Sequence, residues 1–205
     1  MPTIYLIRHG ETMWNRVSRH QGHKDSPLTL RGIGQIRAVA ERLSREGEDW
    51  SRIPLYCSPL FRTRQTMAIL CDSLDLDFDS VRYDDRLKER SYGRWEGLVD
   101  FEIKERFPED WDDRLDDHWG HVVPEGGESY AMLTDRVGEW LGGLPGDATM
   151  LVVCHGGTGR ALRGLYLGLP NAQTPKLPEP QTTVYRLSGG KITELEADIP
   201  ASSGS

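Results

Sequence analysis

Arg8-His9-Gly10-Glu11-Thr12 sets a permanently charged, forked donor beside a histidine, directly after the apolar run Ile4-Tyr5-Leu6-Ile7. Arginine suits phosphate, and histidine is the side chain most readily used as nucleophile or proton carrier near neutral pH. Two further stretches have the same form, an apolar run and then polar or basic residues. Ser58 and Arg62 follow Pro54-Leu55-Tyr56-Cys57, and His155-Gly156 follows Thr149-Met150-Leu151-Val152-Val153-Cys154. Each piece alone has an ordinary reading: an Arg-His pair in a surface loop, a satisfied histidine at a strand end, a solvated arginine in a first helical turn. Together they describe a pocket with two arginines, two histidines and the backbone N–H groups of a helix start, where partial positive charge favours an anion. That combination points to chemistry on a phosphoryl group.

Such a pocket requires parallel strands whose C-terminal ends meet at one edge, because ligands in open α/β sheets bind in the crevice there. The pattern along the chain supplies them. Strands are expected at Ile4–Ile7, at 54–58, near Val81–Tyr83 and at Thr149–Cys154, the last being the most apolar and central. Between them, Ile33, Ile36, Val39, Ala40 and Leu43 fit one face of a helix. A second helix over Arg62–Leu74 turns Met67, Leu70 and Leu74 inward, a third covers Glu128–Leu141, and a fourth runs from Gly156 through Leu169. Thr182–Leu187 and Lys191–Glu196, joined through Ser188-Gly189-Gly190, read as a closing hairpin. Residues 98–126 are rich in Asp, Glu and Trp and read as a helical cap, with Pro108 starting a new turn or helix. The expected fold is a three-layer α/β/α sandwich with a mostly parallel mixed sheet and a small helical cap insertion. It forms one domain over residues 1–200, with a disordered Ser/Gly tail at 201–205.

The 205 residues suffice for one well-cored domain. A net charge of −7 and the lack of a basic run interleaved with aromatics argue against nucleic acid as a partner. No apolar stretch approaches the ~20 residues that span a bilayer, and no leader pattern opens the chain. Cys57, Cys71 and Cys154 are odd in number and widely spaced, which argues against disulfides or zinc and for a reduced, cytoplasmic protein. Cys154 and His155 are adjacent on a strand and point to opposite faces, so the cysteines read as structural. The acidic run from Glu109 to Asp117 lacks the spacing of an EF-hand loop and reads as a solvated helix face. His118-Trp119-Gly120-His121 could hold a metal on one helix face, but Gly120 weakens the helix. Gly156-Gly157-Thr158-Gly159 follows a strand, yet position 162 is Leu where a dinucleotide-binding turn needs Gly.

Several motifs in order resemble the histidine phosphatase superfamily, in its phosphoglycerate-mutase-like branch. They are Arg8-His9-Gly10-Glu11-Thr12 with Trp14-Asn15; Gln21-Gly22 and Asp25-Ser26-Pro27-Leu28-Thr29; Ser58-Pro59-Leu60 with Arg62 and Gln65-Thr66. Leu87-Lys88-Glu89 with Gly93 and Trp95-Glu96-Gly97, Gly126-Gly127-Glu128-Ser129, and Cys154-His155-Gly156-Gly157 follow. The resemblance implies that His9 is a nucleophile forming a phosphohistidine, that Arg8 and Arg62 clamp the phosphoryl oxygens, and that His155 hydrogen-bonds the same group. It implies Glu89 as the acid and base for the leaving alkoxide and the incoming water. Asn15 and Gln21 are additional candidate donors, with Gly156 at the helix start. Glu11 is expected to orient a nearby histidine or arginine, and Glu128 to lie in a helix first turn. No metal and no organic cofactor is implied.

The family covers two activities with one site. A phosphatase passes the phosphoryl group to water; a mutase returns it to a hydroxyl and needs further cations for a doubly phosphorylated cofactor. Asp100 stands where a mutase is expected to carry lysine, which favours metal-independent hydrolysis of a small phosphorylated metabolite. A phosphoglycerate mutase is the alternative, and a non-catalytic phospho-ligand binding protein a more distant one. Residues 98–126 are expected to line or cover the entrance. Trp95, Trp111, Trp119 and the surrounding carboxylates would there favour an ester whose remainder is neutral or cationic. The oligomeric state is not legible in the sequence.

Overall fold

The computed structural model describes residues 1–198; the Ser/Gly tail lies outside the described residues. Six strands form one mixed sheet in the order β3-β2-β4-β1-β5-β6. Strands β1 (Thr3–Arg8), β2 (Leu55–Cys57), β3 (Arg82–Tyr83) and β4 (Thr149–Cys154) are parallel; the hairpin β5 (Thr183–Ser188) and β6 (Lys191–Glu196) adds two antiparallel ladders. β4 is central, as its apolar run predicts.

Side-chain alternation on the strands divides the core into two layers. Tyr5, Ile7, Leu55, Cys57, Leu151 and Val153 face α1 (Leu30–Ser44) and α2 (Phe61–Leu74), where they meet Ile36, Val39, Leu43, Met67 and Leu70. Ile4, Leu6, Met150, Val152 and Cys154 face α5 (Tyr130–Gly142) and α6 (Gly156–Leu167), against Leu133, Val137, Trp140 and Leu162. Leu74 is only half-buried, because it closes the last turn of α2 at the edge of this layer. All three cysteines are free and buried.

The register places the strand ends level. Arg8 pairs with Cys154 and Cys57 with Val153. Each ladder then runs one residue further, with His9 N donating to Cys154 O (3.1 Å) and Ser58 N to Val153 O (3.0 Å). Arg8, His9, Ser58 and His155 therefore share one edge of the sheet.

The helix starts differ in how their unpaired N–H groups are satisfied. Thr29 caps α1 through Gly32 N, and Ser129 caps α5 through Met132 N. Glu128 accordingly sits one residue before that cap rather than in the first turn. Neither α2 nor α6 has a side-chain cap of its own. Carboxylates from distant loops serve both, and both lie at the site.

Between β3 and α5, the acidic excursion folds as α3 (Asp100–Arg106) and α4 (Pro108–Asp116), with Pro108 opening α4. Trp95, Ile103, Trp111 and Val123 form a separate apolar cluster beneath them. No helix among the described residues is long and apolar enough to cross a membrane.

Candidate active site

His9 is 3% exposed, and its Nδ1 lies 2.8 Å from Gly10 O. A carbonyl accepts only, so Nδ1 carries the proton and Nε2 keeps a free lone pair. Burial, then the positive charges of Arg62 and Arg8, hold its pKa well below the ordinary 6.5. The ring is thus neutral at physiological pH, with its nucleophilic nitrogen available.

Arg62 is buried to 1% exposure and spends most of its fork on the protein. Nη1 donates to Asp25 Oδ1 (2.7 Å) and Lys24 O (2.9 Å), Nη2 to Gly22 O (2.8 Å), and Nε to His155 Nδ1 (3.1 Å). With five donors in the group, one Nη2 hydrogen remains for a ligand. Asp25 also accepts from Phe61 N (2.8 Å) and Arg62 N (3.3 Å), so one carboxylate caps α2 and fixes the guanidinium it carries.

His155 has no exposed surface, and both its nitrogens are taken. Because Arg62 Nε donates to Nδ1, the proton lies on Nε2, which faces Ser58 Oγ at 2.7 Å. Burial, and then Arg62, hold this ring neutral as well. His155 does not line the cleft; it sits behind Arg62 and orients it, where the sequence placed it on the phosphoryl group.

Arg8 donates through Nη1 to Glu179 O, while its buried Nε has no partner among the described residues. Glu179 pairs in turn with Arg163, both almost fully buried, and the Arg163 guanidinium lies 3.8 Å over the Tyr185 ring. Burial pushes the Glu179 carboxyl up to about 7 against the pull of Arg163 and Arg8.

Glu89 supplies the missing cap of α6. Its Oε2 accepts from Gly157 N (3.0 Å), and Oε1 from Thr158 N (3.2 Å) and Arg90 N (2.9 Å). The segment carrying it is held by Arg136, which donates to Arg86 O (2.9 Å) and Lys88 O (3.0 Å) and forks onto Glu128 (2.9 and 2.8 Å). His23 Nε2 donates to Glu89 O (2.9 Å).

Asn15 Oδ1 accepts from Thr12 N and Gln181 Nε2 (both 3.1 Å), which leaves its amide NH₂ for the cleft. Gln21 Oε1 accepts from Ser26 Oγ (3.2 Å) and is occupied in the same way. Gly156 opens α6, where the N–H has no intrahelical partner, and packs beside Arg8. Gly22 adopts φ +53°, and any Cβ there would collide with Glu96, the carboxylate that ties this loop through His23 N and Lys24 N.

These groups enclose a cleft of about 440 Å³ that holds Arg8, His9, Asn15, Gln21, Arg62, Glu89 and Gly156 together. Arg19 and Arg160 add two more cations, against the carboxylates of Glu11 and Glu89 only. In a chain of net charge −7, this concentration of positive charge selects anions. A neutral nucleophile, two guanidinium groups and a fixed carboxylate can transfer a phosphoryl group.

The model of the histidine phosphatase superfamily (branch 1) matches residues 4–193. The chain belongs to that superfamily. Phosphoserine phosphatase 1 of Hydrogenobacter thermophilus is 35% identical, with 82% of this chain and 78% of that protein aligned. A Serratia proteamaculans protein named "Probable phosphoglycerate mutase" is 37% identical over 97% of this chain and 94% of its own length. Among solved structures, a mycobacterial glucosyl-3-phosphoglycerate phosphatase superposes with a TM-score of 0.74 at 31% identity, covering 96% of this chain and 97% of that one. This histidine phosphatase thus has relatives named for both activities.

The surroundings of the site differ from the sequence expectation in several ways. No residue of 98–126 lines the cleft. Trp95 and Trp111 instead pack with each other, ring centroids 6.0 Å apart, and Trp119 lies against Tyr130. Three carboxylates of the excursion are engaged: Asp110 with Arg94, Glu102 with Arg19, and the exposed Asp100 with His20. Glu11 turns from the clamp to Thr29 Oγ1 (2.7 Å) and the exposed Arg31 (3.4 Å). No cluster of three or more metal-ligating side chains occurs among the described residues, and His121 stacks on Trp95. Sequence reasoning missed Asp25, Arg136 and Arg160. Asp25 was visible as part of the loop motif, but nothing local shows that it caps a helix 36 residues on.

Proposed function

We propose that this histidine phosphatase hydrolyses a small phosphorylated metabolite without a metal, through a phosphohistidine on His9. The observation that carries the reading is the geometry of His9: Nδ1 tied to Gly10 O, Nε2 free, and the ring held neutral by burial and by two arginines. In the first step Nε2 bonds to phosphorus and the P–O ester bond breaks, with the proton for the leaving oxygen coming from Glu89. In the second, Glu89 takes a proton from water, whose oxygen bonds to phosphorus as the P–N bond breaks. Arg8 and the remaining Nη2 hydrogen of Arg62 stabilise the charge on the transferring oxygens. Asn15, Gln21 and Gly156 contribute positioning donors, and His155 acts through Arg62 as a positioning residue. The three unpaired thiols support a cytoplasmic setting.

Hydrolysis is favoured over phosphoryl return because Asp100 is a carboxylate already paired with His20 (2.7 Å), leaving no cation at that position. Phosphoglycerate mutase is the second reading, carried by the mutase-named relative. Phosphate release from a panel of phosphomonoesters, with chelator and with His9→Ala, tests the proposal. Release that persists with chelator and disappears in His9→Ala is expected. Isomerisation of 3-phosphoglycerate without net release would establish the mutase instead. Neither activity in a folded protein would leave a phospho-ligand binding protein.

A further inference from the structure

We propose that Arg160 forms a second anion subsite in the cleft, selecting phosphomonoesters that carry a carboxylate close to the ester oxygen. The inference rests on the proposed function above and names its substrate class.

Arg8 and Arg62 take the transferring phosphate, so the question is what the other two arginines of the cleft are for. Arg19 is tied through Nη1 to Gly97 O and is charge-paired with Glu102 (3.4 Å). Arg160 is different. Its Nε donates to Leu177 O at 2.6 Å, which fixes the stem, while neither Nη group has a protein acceptor among the described residues. No carboxylate among them lies within ion-pair distance of Arg160, yet it lines the same cleft as His9. Four of its five donors thus remain for solvent or a ligand.

The placement suits a bifunctional substrate. Gly156 and Arg160 lie one turn apart on the same face of α6, so their positions are separated by roughly 6 Å. Gly156 packs beside Arg8, and Arg160 is near enough to Arg8 to disfavour its charge. Guanidinium groups this close can be bridged by a short carbon skeleton, with phosphate at Arg8 and Arg62 and a carboxylate on the free edge of Arg160. A planar guanidinium edge matches a carboxylate through two parallel hydrogen bonds. The nearby carboxylates are otherwise engaged: Glu89 at the N-terminus of α6, Glu11 with Thr29, and Glu179, which feels the charge of Arg160, with Arg163. The geometry therefore reverses the charge preference that the acidic composition of residues 98–126 suggests.

Phosphoserine and phosphoethanolamine differ only by the carboxylate, so the ratio of their kcat/KM values, measured on the intact protein, reads the subsite directly. A ratio of roughly 10- to 100-fold in favour of phosphoserine is expected, the size of a charge-assisted hydrogen bond. Arg160→Met should collapse that ratio towards one, and Arg160→Lys should retain part of it. Arg160→Gln keeps a donor for Leu177 O and serves if the methionine variant fails to fold. A ratio near one in the wild type, or one that Arg160→Met leaves unchanged, overturns the subsite. Calorimetric binding of the same two esters to His9→Ala separates this outcome from failure of the function. A binding preference that depends on Arg160, without turnover in the wild type, refutes the phosphatase and keeps the subsite. Turnover without preference does the reverse, and binding of neither ester refutes both.

Discussion

Gly157→Ala is the sharpest test of the role given to Glu89. A Cβ on Gly157 would stand 2.5 Å from Glu89 Oε1, where side-chain contacts rarely fall below 3.0–3.4 Å, so the carboxylate must retreat by about 0.5–0.9 Å. The other neighbour, Leu133 Cδ2, is at an ordinary 3.5 Å. The colliding atom is the end of a flexible side chain, and alanine suits a helix better than glycine by about 1 kcal/mol, so the fold should tolerate the change. The chemistry should not. A misplacement of about 1 Å can cost on the order of 100-fold, and general acid catalysis as a whole contributes roughly 10²- to 10⁴-fold. A loss of about 10- to 100-fold in kcat/KM is therefore expected on an alkyl phosphate, whose leaving oxygen needs a proton. The loss in kcat/KM on p-nitrophenyl phosphate, whose leaving group departs without one, should be several-fold at most. Because kcat/KM covers only the steps through P–O cleavage and leaves out the hydrolysis of the phosphohistidine, in which Glu89 acts as base on either ester, comparing it on the two esters reads the acid role, with thermal unfolding as a control for folding. Equal losses on both esters, or full activity on both, would refute the assignment of Glu89 as the proton donor.

Other consequences follow from the same contacts. Because Arg62 and Arg8 help to hold His9 neutral, removing the charge in Arg62→Met should raise the acidic limb of the kcat/KM–pH profile towards neutrality; an unmoved limb would show that burial alone sets it. A histidine whose folded pKa is depressed is protonated first in the unfolded chain, so stability is full above about 6.5 and falls as pH drops below it. The loss is about 1.4 kcal/mol per pH unit per ring until the folded pKa is reached. The raised carboxyl of Glu179 works in the opposite sense between 4.5 and about 7. The His9 share is therefore read as the difference in stability slope between wild type and His9→Asn, measured by denaturant unfolding from pH 7 to 5. Arg136→Met frees Arg86 O, Lys88 O and the Glu128 carboxylate at once. It should cost about 1–3 kcal/mol, seen as a melting temperature lower by several degrees, together with a fall in kcat. Burial pushes the Cys57 and Cys154 thiols up and the Cys71 thiol up to about 11, so a thiol reagent should label the native protein slowly without inactivating it. Rapid inactivation that substrate prevents would put a cysteine back in the site.

What the sequence could and could not reveal divides by the range of the interactions. β1 and β4 are short, continuous apolar runs, and their parallel pairing alone brings Arg8, His9 and His155 to one edge, so the convergence of these residues was legible from strand ends. The direction in which each polar group points was not. His155 has the right type and the right strand end for a phosphoryl contact, yet Arg62 Nε and Ser58 Oγ, 93 and 97 residues away, take both its nitrogens. Asp25 and Glu89 read locally as loop carboxylates; each becomes specific only because a helix with no side-chain cap of its own starts beside it. Residues 98–126 show the reverse case. Their composition is acidic, but composition does not reveal that Glu102 and Asp110 are neutralised by Arg19 and Arg94, or that Asp100 is hydrogen-bonded to His20. The electrostatics of this cleft are therefore set by the few charges left without partners, and Arg160, the least conspicuous of its arginines in the sequence, keeps four of its five donors free with no carboxylate paired to it among the described residues.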